Sequence, residues 1–406
     1  MISRSLIITP QHFIAFILVS YAVVFSLFVD AGSRNYLVLI ASMIGGVLFL
    51  QLGLTHQRHA SLAFVLFSIM TVSTLFQDGA GKLGSLALTF TYSIGYFAIG
   101  SLLDKVNDKR GFLIKIIRRI IIAFSMVSIF QLLSSMAGFP VPNLMAAKGL
   151  WSYNSLAYEP SQLGRIIGIS MLCYIMLSRL PGKPVNPKEH QKLLIAFFTT
   201  MLLSGSSLAM IAILAVYGLS RSLPWFALIF IASAFMWPIF FMIEFDPIKR
   251  FLLLASSMVS LELDQVLLAD HSGGIRFAPL LIYYRDMSIA ETSFWLGYGS
   301  EGTKYFFQNK IPGVASGIIF GGFLPGFAVI YGFLPFAFFI WIFVLRYLNQ
   351  TTIPLIAFWV IFMTSSAFNA QVFWYGLIII QIAWIASHNV TNSFKRSDHE
   401  NLNISV

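Results

Sequence analysis

The stretch Leu193–Leu219, LLIAFFTTMLLSGSSLAMIAILAVYGL, decides how this chain folds. It is apolar throughout, except for Ser204-Gly205-Ser206-Ser207 near its middle. As one helix rising about 1.5 Å per residue it would be about 40 Å long. The hydrocarbon core of a bilayer is about 30 Å thick, too thin for one upright crossing of that length. Read instead as two short helices split at the serines, the stretch crosses and comes back. The choice sets the direction of everything after it.

The surroundings are of the same kind. Of 406 residues, 58% are hydrophobic and 10% charged. The mean hydropathy is +0.81, and a soluble domain is about 25% charged. Forty Phe, 15 Tyr and 8 Trp exceed what one soluble core needs. A water-soluble protein of this composition would expose large apolar patches. Soluble, disordered and fibrous classes are excluded, and an integral membrane protein remains. Ten further runs have the length of a span: 11–29, 35–54, 60–77, 84–103, 113–138, 162–180, 224–243, 326–346, 353–369 and 372–388. The first follows Arg4 and lacks a small-residue cleavage site, so it reads as a span and not a signal peptide. The lone Cys173 permits no intrachain disulfide.

Charge gives the orientation. Lys105, Lys109, Arg110, Lys115, Arg118 and Arg119 share one short segment; Arg179, Lys183, Lys188 and Lys192 share another. Arg346, Lys395 and Arg396 flank the last spans. All are expected inside under the positive-inside rule. Counting forward from an inside N-terminus places 139–161 outside, and counting back from an inside C-terminus places 244–312 outside. The two counts agree only if 193–219 crosses twice. The expected fold is therefore an all-α polytopic membrane protein of about 12 transmembrane segments, with both termini inside. Broken helices are expected near 204–207 and near 322–326, where Gly321, Gly322, Pro325 and Gly326 cluster. The chain divides into a five-span bundle (1–138), a first outer loop (139–161), central spans (162–243), a large outer loop (244–314) and C-terminal spans with a tail (315–406). Within the large loop, Phe251–Ser260 is too short to span and reads as a helix lying on the membrane. By this topology the net charge of +10 collects on the inner side, so it signals orientation and not nucleic-acid binding.

The residues suited to chemistry lie outside. Tyr158-Glu159-Pro160-Ser161-Gln162-Leu163-Gly164-Arg165 ends the first loop and opens a span. Pro160 suits the first helical turn, and Ser161 is a capping type. The helix N-terminus and Arg165 together favour an anion such as phosphate. Arg276 and Arg285 stand in the large loop, and a planar guanidinium grips two phosphate oxygens at once. Arg285 has competing partners in Asp286 and Glu291. Tyr158 and Tyr284 offer faces on which sugars stack, and Lys304 adds a cation. His271 has the chemistry of a general base. Gly297-Tyr298-Gly299 reads as a tight turn, since no strand–loop–helix context makes it a nucleotide loop. No His/Cys cluster has metal-ligand spacing, and no Walker A or Gly-x-Ser-x-Gly string occurs. No metal and no cofactor are expected.

Taken in order, Glu159-Pro160-Ser161-x-x-Gly164, the Leu203–Ser206 break, the arginine-bearing outer loop with Gly297-x-Gly299, and the glycine-rich Ser316–Gly326 turn resemble the O-antigen polymerase (Wzy) family and its exopolysaccharide relatives. The resemblance covers about 150–346. It implies a protein of the bacterial inner membrane whose active site faces the periplasm, which would make the two outer loops periplasmic. It implies a GT-C-type inverting glycosyltransferase that needs no metal. The donor would be a glycan on undecaprenyl diphosphate, the acceptor a second lipid-linked repeat unit, and a chain-length regulator protein a possible partner in the bilayer. On this reading Arg276 and Arg285 clamp the diphosphate and Glu159 is the base. Arg165, Tyr158, Ser161, Tyr284, His271 and Lys304 bind substrate. The alternatives are an O-antigen ligase, whose acceptor is lipid A-core, and a lipid-linked oligosaccharide flippase. Ala315-Ser316 stand where many relatives have His-Asn, which tilts the reading to a polymerase.

Overall fold

The structure is a computed structural model. It describes residues 9–24, 36–51, 57–78, 83–141, 152–235, 263–269, 271–299 and 321–402, with isolated positions between 249 and 310. Its described residues are helical, without a strand. The helices are α1 (Pro10–Ala22), α2 (Tyr36–Gln51), α3 (Gln57–Asp78), α4 (Leu83–Leu103), α5 (Lys109–Met136) and α6 (Pro160–Arg179). Then come α7 (Pro187–Leu203), α8 (Ser207–Arg221), α9 (Leu223–Phe235), α10 (Leu263–Ala269), α11 (His271–Asp286) and α12 (Thr292–Leu296). Last are α13 (Gly326–Tyr331), α14 (Phe333–Phe343), α15 (Ile353–Phe362) and α16 (Gln371–Leu402).

Among the described residues, three helices are long and apolar enough to cross a membrane: α4, α6 and the Gln371–His388 part of α16. They are also the innermost, with α16 packed on both α4 and α6. Shorter apolar helices surround them. Many large apolar side chains on that periphery are exposed, such as Met43, Phe64, Met126 and Leu228. An apolar exterior around a better-packed interior is what a lipid solvent asks for.

The decisive stretch is broken where its serines stand. The helix α7 stops at Leu203, Gly205 takes a left-handed φ of +56°, and α8 restarts at Ser207. Its contacts show that the chain reverses there. Arg118, early in α5, pairs with Glu189 at the start of α7. At the other end of α7, the Leu203 carbonyl accepts from Tyr153 N at 3.0 Å, just before α6 begins. The helix α8 then returns, and Arg179 at the end of α6 donates to the Ser220 carbonyl. So α7 and α8 are an antiparallel pair. The end of the bundle where α6 starts is here the upper end.

Two helices slide together through small residues. Gly164 and Gly168 of α6 face Ala209 and Ala212 of α8: a Cβ on Gly164 would lie 3.0 Å from Ala209 Cα, one on Gly168 3.3 Å from Ala212 Cβ. This is the small-xxx-small packing of membrane helices.

Several expectations change. The span 326–346 is not one helix, because Gly332 at φ +87° separates α13 from α14 and the backbone of Trp295–Gly297 packs into the gap. The span 353–369 stops at Phe362, and Thr364–Ser366 make a turn that other chain segments bond to. His271, Gly273, Gly274 and Arg276 are in helix α11 and not in a loop. Ser152–Ser155, at the end of the first outer loop, are buried. The expected break near 322–326 is present as a turn at 321–325. Most of Phe251–Ser260, Lys304, Ala315 and Ser316 lie outside the described residues.

Candidate functional site

The upper end of α6 collects the polar groups. Glu159 is its N-cap, in extended backbone at φ −139° and ψ 156°, with Pro160 at the first position. The Ser161 hydroxyl donates to Glu159 Oε1. One turn further in, Arg165 is 4% exposed. Its Nη2 donates to Ser365 Oγ at 3.2 Å, and its Nη1 donates to Ser366 Oγ. The close approach at Gly164 and Gly168 brings this face of α6 so far in.

The serines that receive Arg165 are themselves fixed. Phe323 N donates to the Thr364 and Ser366 carbonyls, each at 2.7 Å, and Leu324 N to Thr364 O at 3.0 Å. Gly322 makes that contact possible: its φ is +55°, and a Cβ would lie 2.6 Å from the Thr364 and Ser365 carbonyl oxygens. Thus the 204–206 break, the 321–325 turn and the 364–366 turn meet the start of α6 at one level. Irregular backbone at such depth is tolerated where protein or a polar cavity covers it.

The approach segment is pinned as well. Ser155 has a left-handed φ of +52°, costly for a residue with a Cβ. It is held by Gln131 Oε1 on its N–H at 2.8 Å and by its own hydroxyl on Phe124 O at 2.6 Å. Asn154 is 1% exposed, and its Nδ2 donates to the Ala157 and Tyr158 carbonyls at 2.8 and 3.1 Å. Among the described residues, Asn154 Oδ1 and Gln162 Oε1 accept nothing. Two buried acceptors beside the start of α6 are ready for hydroxyl donors.

The remaining candidates are placed differently. Tyr158 adjoins the cluster and is 44% exposed. Tyr284, on α11, is 89% exposed. Arg285 ends α11 and grips Asp286 with two nitrogens, at 2.6 and 3.2 Å. Lys310 reaches the same carboxylate at 2.9 Å. The hydrogen bonds from Arg285 and then from Lys310 hold the Asp286 carboxyl down at about 2, and the same pairing raises the guanidinium. So the sequence neighbour has claimed the Arg285 fork. The side chains of His271 and Arg276, and all of Lys304, lie outside the described residues. Gly297 and Gly299 do make a tight turn, at φ +81° and +76°.

The structure pairs Ser161 with Glu159 and seats Arg165 against two serine hydroxyls, where sequence reasoning had grouped Glu159, Ser161 and Arg165 from one string. That reasoning missed Ser365, Ser366, Asn154 and Gln162. The serines stand 200 residues from Arg165 in an apolar run, where lone hydroxyls are common and carry no signal. Among the described residues, no three His, Cys, Asp or Glu side chains gather as metal ligands. No family model matches the chain, and no curated protein matches it at a significant level.

Proposed function

We propose that this chain is a membrane glycosyltransferase of the polysaccharide-polymerase type, working at the upper end of α6. The observation that carries the reading is Arg165: a buried cation, oriented by Ser365 and Ser366, one turn into a helix whose N-cap is Glu159. A charge inside a membrane bundle is costly and marks a substrate site by default. In this proposal Arg165 stabilises the diphosphate that leaves as the glycosidic bond forms. Planar N–H donors fixed in advance suit the charge that develops on the leaving group. Arg276 and Arg285 supply further phosphate contacts once substrate displaces Asp286 from the Arg285 fork. Glu159 takes the proton of the attacking sugar hydroxyl. Asn154 Oδ1 and Gln162 Oε1 accept from neighbouring hydroxyls, and Tyr158 stacks on a ring. The donor is a glycan on undecaprenyl diphosphate and the acceptor a second lipid-linked repeat unit, with the site on the periplasmic side of the bacterial inner membrane.

The same buried arginine also favours a second reading, a flippase for lipid-linked oligosaccharide, since transporters keep their charges inside the bundle. The surface glycan of a strain lacking the protein separates the readings. A single repeat unit on the lipid core is the expected result. Unligated lipid-linked polymer would point to a ligase. Lipid-linked units retained on the cytoplasmic side would point to a flippase. In a complemented strain, Arg165→Ala is expected to abolish polymer while the protein still inserts; polymer of normal length would remove Arg165 from the mechanism.

A further inference from the structure

A groove lies between α1 and α5, below the segment that leads into α6. Both helices run upward. The helix α5 starts at the lower end, where Arg118 meets Glu189. Val24, just past α1, donates its N–H to the Leu156 carbonyl at 3.1 Å, on the approach to α6. Ala15, Val19 and Ala22 of α1 and Ala123 and Phe124 of α5 line a cavity of about 250 Å³. The alanines leave space that larger side chains would fill. Leu156 lines the upper end, and Arg119 is the charged residue of the lining. Val19 is 44% exposed and Arg119 is exposed, so the groove opens sideways. From Ala15 to Val23 it extends about 12 Å at the helical rise, room for part of one acyl chain.

Charge and depth say what fills it. From Ile120 to Met136, α5 carries no charge over about 25 Å of helix. In a hydrocarbon core of about 30 Å, that run puts Arg119 at the lower boundary, at headgroup level. Lys115 is one turn lower on the same face and is exposed too. The carboxylates of this end are engaged elsewhere: Glu189 with Arg118, Asp104 with Lys109, and Asp108 with the Gly111 N–H. Among the described residues, no carboxylate pairs with Lys115 or Arg119. Two unneutralised cations thus stand at the lower mouth of an apolar groove. Left empty, the walls would forfeit their dispersion contacts, and in a bilayer lipid tails are the solvent at hand. A chain that enters from below brings its headgroup to the two cations. Basic pockets between spans hold anionic headgroups in this way.

We propose that the groove binds an anionic phospholipid of the leaflet bordering the lower end. One acyl chain lies between α1 and α5, and the phosphate rests on Arg119 and Lys115. This site is independent of the glycan reading and of the α6 cluster.

Thermal unfolding of the full chain in a neutral sugar detergent tests it. Phosphatidylglycerol is expected to raise the midpoint by about 2 °C or more through ligand linkage. Phosphatidylcholine, without net charge, and inorganic phosphate, without a chain, are each expected to raise it clearly less. Arg119→Gln removes the charge and Ala123→Phe fills the groove, and each is expected to abolish the rise. Ile122→Phe, on the exposed face of α5 and outside the groove, is expected to keep it. If Ala123→Phe does not fold, Ala15→Leu fills the groove from the α1 side in its place. The proposal is overturned if phosphatidylcholine or phosphate matches phosphatidylglycerol, or if the rise survives in Arg119→Gln or in the groove-filling variant. Loss of the rise in Ile122→Phe overturns it too. So does the absence of any rise with phosphatidylglycerol, the result expected if a second copy of the chain covers the groove.

Discussion

Arg110 and Arg165 are both buried, at 9% and 4% exposure, but they touch different things. Arg110 donates to three backbone carbonyls at and beyond the end of α6: Leu177 at 2.9 Å, Ser178 at 3.1 Å and Lys183 at 2.9 Å. It closes carbonyls that a helix end leaves open and meets the negative end of the dipole. Removing it is expected to cost about 2–3 kcal/mol, as charged hydrogen bonds do. Arg165 donates to the hydroxyls of Ser365 and Ser366, which can rotate to other partners when it is removed, and the desolvation cost of burying the guanidinium goes with it. Arg110→Met is therefore expected to lower the unfolding midpoint in detergent. Arg165→Met is expected to keep or raise it while glycan polymer is lost. Equal falls in the two midpoints would make Arg165 a structural residue. At this scale legibility followed sequence distance. Glu159, Ser161 and Arg165 stood in one string with capping chemistry. Asn154 did not stand out, because nothing local says that its amide lies under the 157–158 carbonyls.

At the scale of elements, breaks were readable when their cause was local. Ser204–Ser207 interrupt an apolar run with groups that favour a cap and a left-handed turn, and the helix pair follows. The Gly332 break was not readable, because its cause is the Trp295–Gly297 backbone, distant in sequence and packed against it. The α6–α8 contact was readable in principle as Gly164-x-x-x-Gly168. Gly164→Leu is expected to force α6 off α8 at an overpacking cost of about 1–3 kcal/mol or more. The variant is expected to reach the membrane at reduced level, with a lowered unfolding midpoint; wild-type stability would show that the helices have slack there. The end of α11 makes a separate prediction about pH. Asp286 is depressed to about 2, from an ordinary value of 3.8, by Arg285 and Lys310. A depressed carboxylate stabilises fully above its unfolded pKa, and loses that contribution as pH falls through the folded one. The tether is thus complete at neutral pH and opens between about 4 and 2. Arg285 is 64% exposed, Lys310 32% and Asp286 22%, so water screens the tether from the arginine side and a phosphate can compete for that fork. A carboxyl carbon titration is expected to place Asp286 near 2, and near its ordinary value when Arg285 and Lys310 are both alanine. An ordinary midpoint in the wild type would mean that the tether does not persist in solution.

At the scale of the molecule, contacts between helix ends sort the chain into two levels, which the proposed topology would make two sides of a membrane. The end of α1 receives Gln371, whose Nε2 donates to the Ser20, Tyr21 and Val23 carbonyls at 2.7, 2.8 and 3.0 Å. Asn369 reaches Ser85 at the start of α4, at 3.2 Å. The starts of α4, α6, α8 and α16 therefore share the upper end with the ends of α1, α5 and α7. The basic segments 104–119 and 179–192 lie at the other end. The positive-inside reading expects those basic segments inside, and its parity required the 193–219 stretch to reverse. Labelling decides whether the two levels are two sides. The only native thiol, Cys173, is fully buried, so the natural chain is a nearly silent background. Ala137→Cys lies beyond the end of α5, Ser206→Cys at the α7–α8 break, and Lys183→Cys between α6 and α7. Alanine 137 and lysine 183 are exposed, and serine 206 is half-buried. A membrane-impermeant maleimide added to intact cells, with the outer envelope permeabilised, is expected to label Ala137→Cys fast and Ser206→Cys more slowly. Lys183→Cys is expected to react only after the inner membrane is opened. If Ser206→Cys behaved as Lys183→Cys does, α7 and α8 would not form a crossing pair. The two levels would then not be two sides, and they would give no ground for placing a periplasmic donor against Arg165 at the start of α6.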